Sequence, residues 1–595
     1  MCGIAGQVVP AQCAVDEPLV RRMTRRLAHR GPDGERVHIG PQHGFGHRRL
    51  SLIDLDGGHQ PQANEDGTVR VVANSEIYNY VELRRDLVSR GHHFATSSDT
   101  EVIVHLYEEH GAGCVNHLNG MFAFALWDER TRTLLLARDR FGIKPLYYTV
   151  CGDTLLFASE LRALLESPRV ARDLNDAALH DYFRHLTVPE PHSILAAVRK
   201  LPAAHVLTWR DGRSHETRYW DITQTPGTAP VDDDEAIARM GAALADSVAM
   251  SLRSDAPVGV FLSGGVDSSL LAAIASATQP GLSTFSVAFD DPQSDERAFS
   301  RLVAQACGSN HHEIEVSLAD AADALEQLTG ALDEPFADSS AIPTWLLART
   351  ARRHVKAVLT GEGADELFGG SPWHSDDDDG SHDVARLLAP AAKLVFTDDT
   401  LERVCAPDLR DRLRAAATPG TDALEAPLAR CAGPLERRLY ADLQVYLPSD
   451  LLMKTDRATM LASLEARVPF LNHPFAEQAW RLPARLKLRD GVRKYALKRL
   501  GADRLPAPIL TRRKQGFSIP MDLWLWRPGR FRDLVLDTLL DTRTRSRGCF
   551  DVAGIEAMVR DHDRINPFHG YRLWTLFVFE MWQRQFIDVP AAVSA

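Results

Sequence analysis

At residues 221–235 the chain reads DITQTPGTAPVDDDE, and the apolar pattern differs on its two sides. Downstream, short apolar runs alternate with amphipathic ones. APVGVFL (256–262) and STFSVAF (283–289) read as buried strands, and SSLLAAIASA (268–277) and DERAFSRLVAQACG (295–308) as helices. HHEIEV (311–316) and KAVLTG (356–361) read as two further strands. Strands separated by helices pair in parallel, with the helices covering the faces of the sheet. Such a sheet binds ligands at the carboxyl ends of its strands.

Upstream the pattern is strand-rich. VRVVANSEIYNY (69–80) and MFAFALWDERTRTLLLARD (121–139) are β-branched or aromatic runs around turn residues. FGIKPLYYTVCGDTLLFASE (141–160) reads as a hairpin turning at Gly152-Asp153. DTEVIVHLYEEHG (99–111) is a helical pattern stopped by Gly111. The organisation expected is a domain over 1–220, a linker over 221–235 and a second domain over 236–590. From about 430 to 585 that second domain reads as mostly helical.

A chain of 595 residues is too long for one hydrophobic core, which agrees with this division. A net charge of −12 leaves no basic surplus to neutralise phosphates, which argues against a general nucleic-acid binder. The eight cysteines are scattered with no CxxC pair, so neither a disulfide framework nor a zinc motif is signalled. No apolar run is long enough to span a bilayer, and the N-terminus lacks a secretory pattern. A cytoplasmic protein acting on small molecules is the expectation.

VFLSGGVDSS (260–269) is the strongest local signal. An apolar strand runs into two glycines, which let backbone approach a ligand closely, and then into a helix start flanked by hydroxyls. That combination is an anion cradle. Asp267 adds a carboxylate where a magnesium ion bridging phosphates would sit. The lysine-bearing phosphate loop GxxxxGK[ST] is not matched. A second Gly-rich loop, VLTGEGADELFGG (358–370), brings Glu362, Asp365 and Glu366 together after another apolar strand. HSDDDDGSH (374–382) reads as a solvated acidic loop.

The motifs MCGIAG, HRRLSLIDL, ANSEIYN, SSDTE, NGMFAFALWD, RDRFGIKPLYY, FASE, FLSGGVDSS, TFSVAF, GEGADELFGG, LLMKTDRATM, LEARVPFLN and RRKQGFSIP follow in this order. Together, from residue 2 to about 520, they resemble the glutamine-hydrolysing asparagine synthetases. The resemblance implies an α+β N-terminal glutaminase of αββα layers, an N-terminal-nucleophile amidohydrolase. It implies next an α/β ATP pyrophosphatase domain with a parallel sheet and a helical C-terminal part. The chemistry implied is glutamine hydrolysis to ammonia, adenylation of a carboxylate by Mg-ATP, and amide formation with release of AMP and pyrophosphate. The cofactors expected are ATP and Mg2+. The partners are glutamine, ATP and aspartate or another carboxylate, with a homodimer as the candidate assembly and neither nucleic acid nor membrane involved.

The resemblance also assigns roles. Cys2, once Met1 is removed, carries a thiol and a free amine whose intrinsic pKa values are about 8.5 and roughly 7.7–8.0, so the amine can take the thiol proton. Asn74 and the backbone N–H of Ser75 match the oxyanion donors. Arg49, Glu76 and Asp99 match the residues that hold the α-carboxylate and α-ammonium of glutamine. Ser263, Gly264, Gly265 and Ser268 match the phosphate cradle, and Leu262, Val287 and Gly361 the adenosine contacts. Asp267 and Asp365 match the magnesium ligands, Glu362 the residue of adenylate formation, and Lys514 a charge-stabilising lysine. LLMKTDRATMLASLEARVPFLN (451–472) is expected to pack a structural helix under the site.

This chain departs from the family pattern in three places. Ser75 stands where the family has glycine, raising the expectation of a strained loop or a narrowed pocket, and of a working but slowed glutaminase. Asn472 stands where aspartate is usual. SPWHSDDDDG (371–380) replaces an aromatic-and-arginine segment near the acceptor side. The last keeps open the same machine acting on another carboxylate. A β-lactam-type cyclase is disfavoured by Cys2, and a non-catalytic relative by the two acidic loops.

Overall fold

A computed structural model describes residues 2–225, 232–289, 295–374, 387, 394–416, 422–512, 519, 521–562 and 569–588. The N-terminal part contains two antiparallel sheets. The first runs, in spatial order, Arg199–Lys200, Tyr147–Cys151, Thr154–Ala158, Gly3–Val8, His43–Arg49 and Gly34–Ile39. The second runs Arg213–Arg218, His205–Arg210, Thr133–Arg138, Gly120–Asp128, Val69–Ile77 and Gln62–Ala63.

Strand alternation sorts the side chains into layers. Ile4 and Val8 of the first sheet meet Val72, Ala125 and Trp127 of the second in one apolar layer. On the outer face of the first sheet, Ala5, Leu156 and Ala158 pack on Leu19 and Met23 of the helix Glu17–Arg26. On the outer face of the second, Val71, Ala73 and Ile77 pack on Ile103 and Leu106 of the helix Val102–His110. The order of layers is therefore αββα. The hairpin at Gly152-Asp153 and the Gly111 stop stand where the sequence placed them: Cys151 pairs with Thr154, and Gly111 takes φ 57° at the helix end.

The second part is built on a five-stranded, all-parallel sheet. Its order is Asn310–Val316, Ser283–Phe289, Val258–Phe261, Ala357–Leu359 and Glu465–Arg467. In chain order this is 3-2-1-4-5, which reverses direction between the Val258–Phe261 and Ala357–Leu359 strands. Reversal opens a crevice at the carboxyl ends of those two strands. Helices follow from Pro434 to Phe586, and none among the described residues is long and apolar enough to cross a membrane.

One expectation holds in part of its segment and another is corrected. The 451–472 segment supplies the expected helix over Leu452–Leu461, then turns into Glu465–Arg467, the edge strand of the parallel sheet beside Ala357–Leu359, and ends in a short 3-10 turn over Pro469–Leu471. A turn at Ser463, with φ 55°, separates helix and strand. The acidic run expected to close the linker is the start of the helix Asp233–Ser251, where the Asp232 side chain accepts the Glu235 N–H. Acidic residues in a first helical turn are favoured by the helix dipole. Asp221, at the other end of that segment, is buried and accepts from the Tyr440 hydroxyl at 2.9 Å. Residues 226–231 lie outside the described residues.

Candidate functional site

The first site lies where the strand Gly3–Val8 begins. Even-numbered residues of Val69–Ile77 turn inward between the sheets, as Val72 does, so Asn74 and Glu76 face inward as well. Asn74 Oδ1 accepts the backbone N–H of Cys2 at 2.9 Å. Asn74 Nδ2 is buried with no protein partner. A buried amide donor left unpaired costs about 1–3 kcal/mol, so its retention points to a ligand that fills it.

Along the same strand, the N–H groups of Ala73 and Ile77 point to one edge, to Gln60 Oε1 at 2.6 Å and Asp99 Oδ2 at 2.8 Å. By alternation the N–H of Ser75 points to that edge as well, between them. Ser75 takes an ordinary negative φ within the strand, opposite Phe122, so it is not strained. The glycine of the family pattern is not needed for backbone reasons, and the expectation of a strained loop fails. The Ser75 hydroxyl sits 3.3 Å from Thr100 Oγ1.

The Cys2 side chain is buried, and burial pushes its thiol up. The Leu50 amide and the Arg49 guanidinium oppose that shift by favouring the thiolate. Arg49 itself is fixed by the carbonyls of Leu55, Ile53 and Asp54 at 2.9, 3.3 and 2.5 Å. Burial also raises Asp99, to about 6. Met1 lies outside the described residues.

The second site is a cavity of about 700 Å3 at the crevice of the parallel sheet. Leu262, Ser263, Gly265, Asp267 and Ser268 line it after one strand, and Gly361, Glu362 and Asp365 after the adjacent one; Val287 comes from the third. Gly264 turns the cradle with φ 72°, and a Cβ there would meet Phe299 Cβ at 2.7 Å. Ser263 Oγ and Ser268 Oγ stand 3.0 Å apart at the start of the helix Val266–Thr278.

Lys494 is the residue that sequence reasoning missed. Its ammonium reaches Asp267 Oδ2 at 2.5 Å and Asp365 Oδ1 at 2.7 Å, from a buried left-handed turn with φ 54°. Burial works against its charge, but the two carboxylates outweigh burial and hold the ammonium above its ordinary range. Gly370 leaves room for this pair, since a Cβ there would lie 1.8 Å from Asp365 Oδ1 and 2.0 Å from Lys494 Cε and would displace both side-chain ends. In the sequence Lys494 is one of several bases in GVRKYALKRL, and no local spacing marks it. Lys514, expected to stabilise charge here, lies outside the described residues, as do residues 375–380 of the acidic segment. Arg512, two residues before Lys514, is anchored: it donates to the Gly264 carbonyl at 3.0 Å, pairs with Glu296 and lies over the Phe299 ring.

The helix Leu452–Leu461 joins the two sites. Lys454 and Thr455 line the cavity, where Thr455 Oγ1 donates to Glu362 at 3.2 Å and Lys454 lies 4.0 Å from the same carboxylate. The next two residues face the glutaminase. Asp456 receives both Nη atoms of the fully buried Arg30, at 2.8 and 3.0 Å, and Arg457 pairs with Glu160 at 2.8 Å. Arg30 Nε in turn donates to the Cys2 carbonyl at 3.1 Å. One arginine therefore separates the candidate nucleophile from the helix that closes the cavity.

Comparison with known proteins returns two family models, described as Glutamine amidotransferase domain over residues 1–220 and Asparagine synthase over residues 239–584. Asparagine synthetase [glutamine-hydrolyzing] 1 of Bacillus subtilis (strain 168) is 33% identical, covering 98% of this chain and 96% of its own length. Asparagine synthetase [glutamine-hydrolyzing] 3 of the same organism is 34% identical over 91% of this chain and 92% of its own. A putative asparagine synthetase [glutamine-hydrolyzing] of Mycobacterium tuberculosis (strain ATCC 25618 / H37Rv) is 35% identical over 99% and 98%.

Proposed function

The chain belongs to the glutamine-hydrolysing asparagine synthetase family, and from that premise we propose that it makes asparagine from aspartate, ATP and glutamine, with the two sites above in sequence. The observation that carries the reading is their coupling: Cys2 beside an unpaired Asn74 amide, and a Gly-rich phosphate cradle beside clustered carboxylates, on either side of one helix.

In the first site Cys2 Sγ attacks the glutamine amide. Asn74 Nδ2 and the Ser75 N–H receive the oxyanion, Arg49 and Asp99 orient the amino-acid end, and ammonia leaves a glutamyl thioester that water hydrolyses. Burial of the thiol means that proton removal needs a close base, which the amine of Cys2 supplies once Met1 is gone.

In the second site the Ser263–Ser268 loop holds phosphates at the helix start. Asp267 and Asp365 converge on one cation, Lys494 Nζ, and this hard-oxygen donor pair suits Mg2+. Bound there, Mg2+ would neutralise phosphate charge. Lys494 balances the charge that develops as aspartate attacks the α-phosphorus and pyrophosphate departs. Glu362, set by Thr455 and Lys454, takes a proton from the ammonia nitrogen as it attacks the acyl-adenylate.

ATP–pyrophosphate exchange across a panel of carboxylates tests the reading. Aspartate should drive exchange; exchange with another acid alone would replace aspartate as the acceptor. Cys2→Ala should abolish glutamine-dependent synthesis and spare the ammonia-dependent reaction, and loss of both would refute the two-site assignment.

A further inference from the structure

On the outer side of the glutaminase sandwich, four side chains turn their ligand atoms toward one point. They are Glu65 from the turn before Val69–Ile77, His92 from the segment after the helix Tyr80–Ser89, and His105 and Glu108 from the helix Val102–His110. One ligand atom from each lies within 4.8 Å of all the others.

The spacings are informative. His105 Nδ1 lies 3.4 Å from Glu108 Oε2 and 3.6 Å from Glu65 Oε2. His92 Nδ1 lies 3.6 Å from Glu108 Oε2 and 3.8 Å from Glu65 Oε1. These exceed the length of a good N–H···O bond, about 2.7–3.2 Å. The His105–Glu108, His105–Glu65 and His92–Glu108 spacings fall at the edge lengths of a tetrahedron, and the His92–Glu65 spacing, to the other Glu65 oxygen, is longer. Ligands about 2.0–2.2 Å from a central ion stand about 3.3–3.6 Å apart.

The surroundings orient the same atoms. Asn64 Nδ2 donates to the other oxygen of Glu108 at 2.8 Å, and the His93 N–H to Glu65 at 2.7 Å. His92 Nε2 meets Glu109 Oε1 at 3.1 Å, a partner that places the proton on Nε2 and leaves the Nδ1 lone pair facing the cluster. His105 is fully buried, covered by the Phe94 ring at 4.4 Å, and its Nε2 has no hydrogen-bond partner, with Glu101 3.8 Å away. The two imidazoles are thus ringed by Glu65, Glu101, Glu108 and Glu109, and their own centroids are 5.0 Å apart. Protonating both rings would set two cations against each other with one of them buried. A single divalent ion satisfies all four ligands at once.

We propose that Glu65, His92, His105 and Glu108 bind a structural divalent transition metal of the zinc class, tying the turn before Val69–Ile77 and the end of Tyr80–Ser89 to the helix that follows Asp99. Two imidazole nitrogens and two carboxylate oxygens form a donor set that suits Zn2+. The site is separate from the cavity that takes ATP and needs no part of it.

The test uses the full-length chain, stripped with a chelator and titrated with Co2+. The expected result is one Co2+ per chain with the intense visible absorption of tetrahedral cobalt, displaced by Zn2+, and a rise in Tm on adding Zn2+. Asn64→Ala should weaken binding about 10–100-fold through lost orientation of Glu108. Glu65→Gln and His92→Ala, both on segments nearer the surface, should remove the tetrahedral bands while ammonia-dependent synthesis persists; His105→Ala extends the series where it folds. Cobalt held by the Asp267 and Asp365 carboxylates would be six-coordinate and weakly coloured, and would survive these substitutions. Absence of the tetrahedral bands in the wild type, or their persistence in Glu65→Gln and His92→Ala, overturns the proposal in favour of a purely hydrogen-bonded cluster.

Discussion

Arg467, on the edge strand of the parallel sheet, donates to the Glu76 carboxylate of the glutaminase sandwich at 2.7 Å. The same guanidinium reaches Glu465 at 2.5 Å and the carbonyls of Ser251 and Arg253 at 2.8 and 2.7 Å. A residue of the candidate glutamine site is thereby held by the other domain. Arg467→Met would leave Glu76 and Glu465 buried without the guanidinium they share. Removing one partner of a buried ion pair typically costs about 3–5 kcal/mol. Urea unfolding should show that loss, and adding Glu76→Gln should recover part of it. Strict additivity of the two changes would show that the pair is not coupled.

Asp99 carries a conflict between binding and stability. Burial pushes it up to about 6, against about 3.9 in an unfolded chain. Between those values the folded state holds the extra proton, so its contribution to stability declines as pH rises from about 4 to 6 and stays lost above. Asp99→Asn should therefore gain roughly 2–3 kcal/mol at pH 7, since the amide oxygen can still accept the Ile77 N–H. Glutaminase activity should collapse with it, because the α-ammonium loses its counter-charge. In the wild type, KM for glutamine should climb as pH falls below about 6. A flat KM between pH 5 and 7, titrated with KM and kcat separated, would detach Asp99 from glutamine binding.

Lys494 is the test of the second site. Lys494→Met keeps the unbranched stem of the side chain but removes the ammonium between Asp267 and Asp365. Synthesis from either nitrogen source should fall by about 10²–10³, the scale of one lost electrostatic stabiliser. Glutamine hydrolysis at Cys2 should continue. Parallel assays of glutamate, pyrophosphate and asparagine separate the outcomes, and unchanged pyrophosphate release would remove Lys494 from the chemistry.

Ser75→Gly is expected to give no faster glutaminase. The residue has ordinary strand geometry, so glycine relieves nothing and adds unfolded-state entropy. The change should cost about 0.5–1 kcal/mol in stability. A several-fold gain in kcat for glutamine hydrolysis would mean that the Ser75 hydroxyl crowds the substrate after all.

Much of the architecture was legible because it rests on local patterns. Alternating apolar runs specify strands, and strands interleaved with helices specify the parallel sheet. SGGVDSS and GEGADE carry their chemistry in adjacent residues, so their place at two strand ends could be read before the strands were seen to be neighbours. Cys2, Asn74 and Asp99 were named from motif context, and the sheet register then put the Asn74 amide beside Cys2.

What the sequence could not show is every relationship made across long separations. Lys494 is 227 residues from Asp267, and Arg467 is 391 from Glu76. Glu65 comes to His105 only because a turn and two helix ends meet on one face of a sheet. A lone lysine, arginine or histidine reads as a surface charge, since nothing nearby in the chain says what will bury it. Burial is decided by tertiary packing, and once the charge is buried its partner is decided too, because an unpaired ion in the interior is too costly to keep.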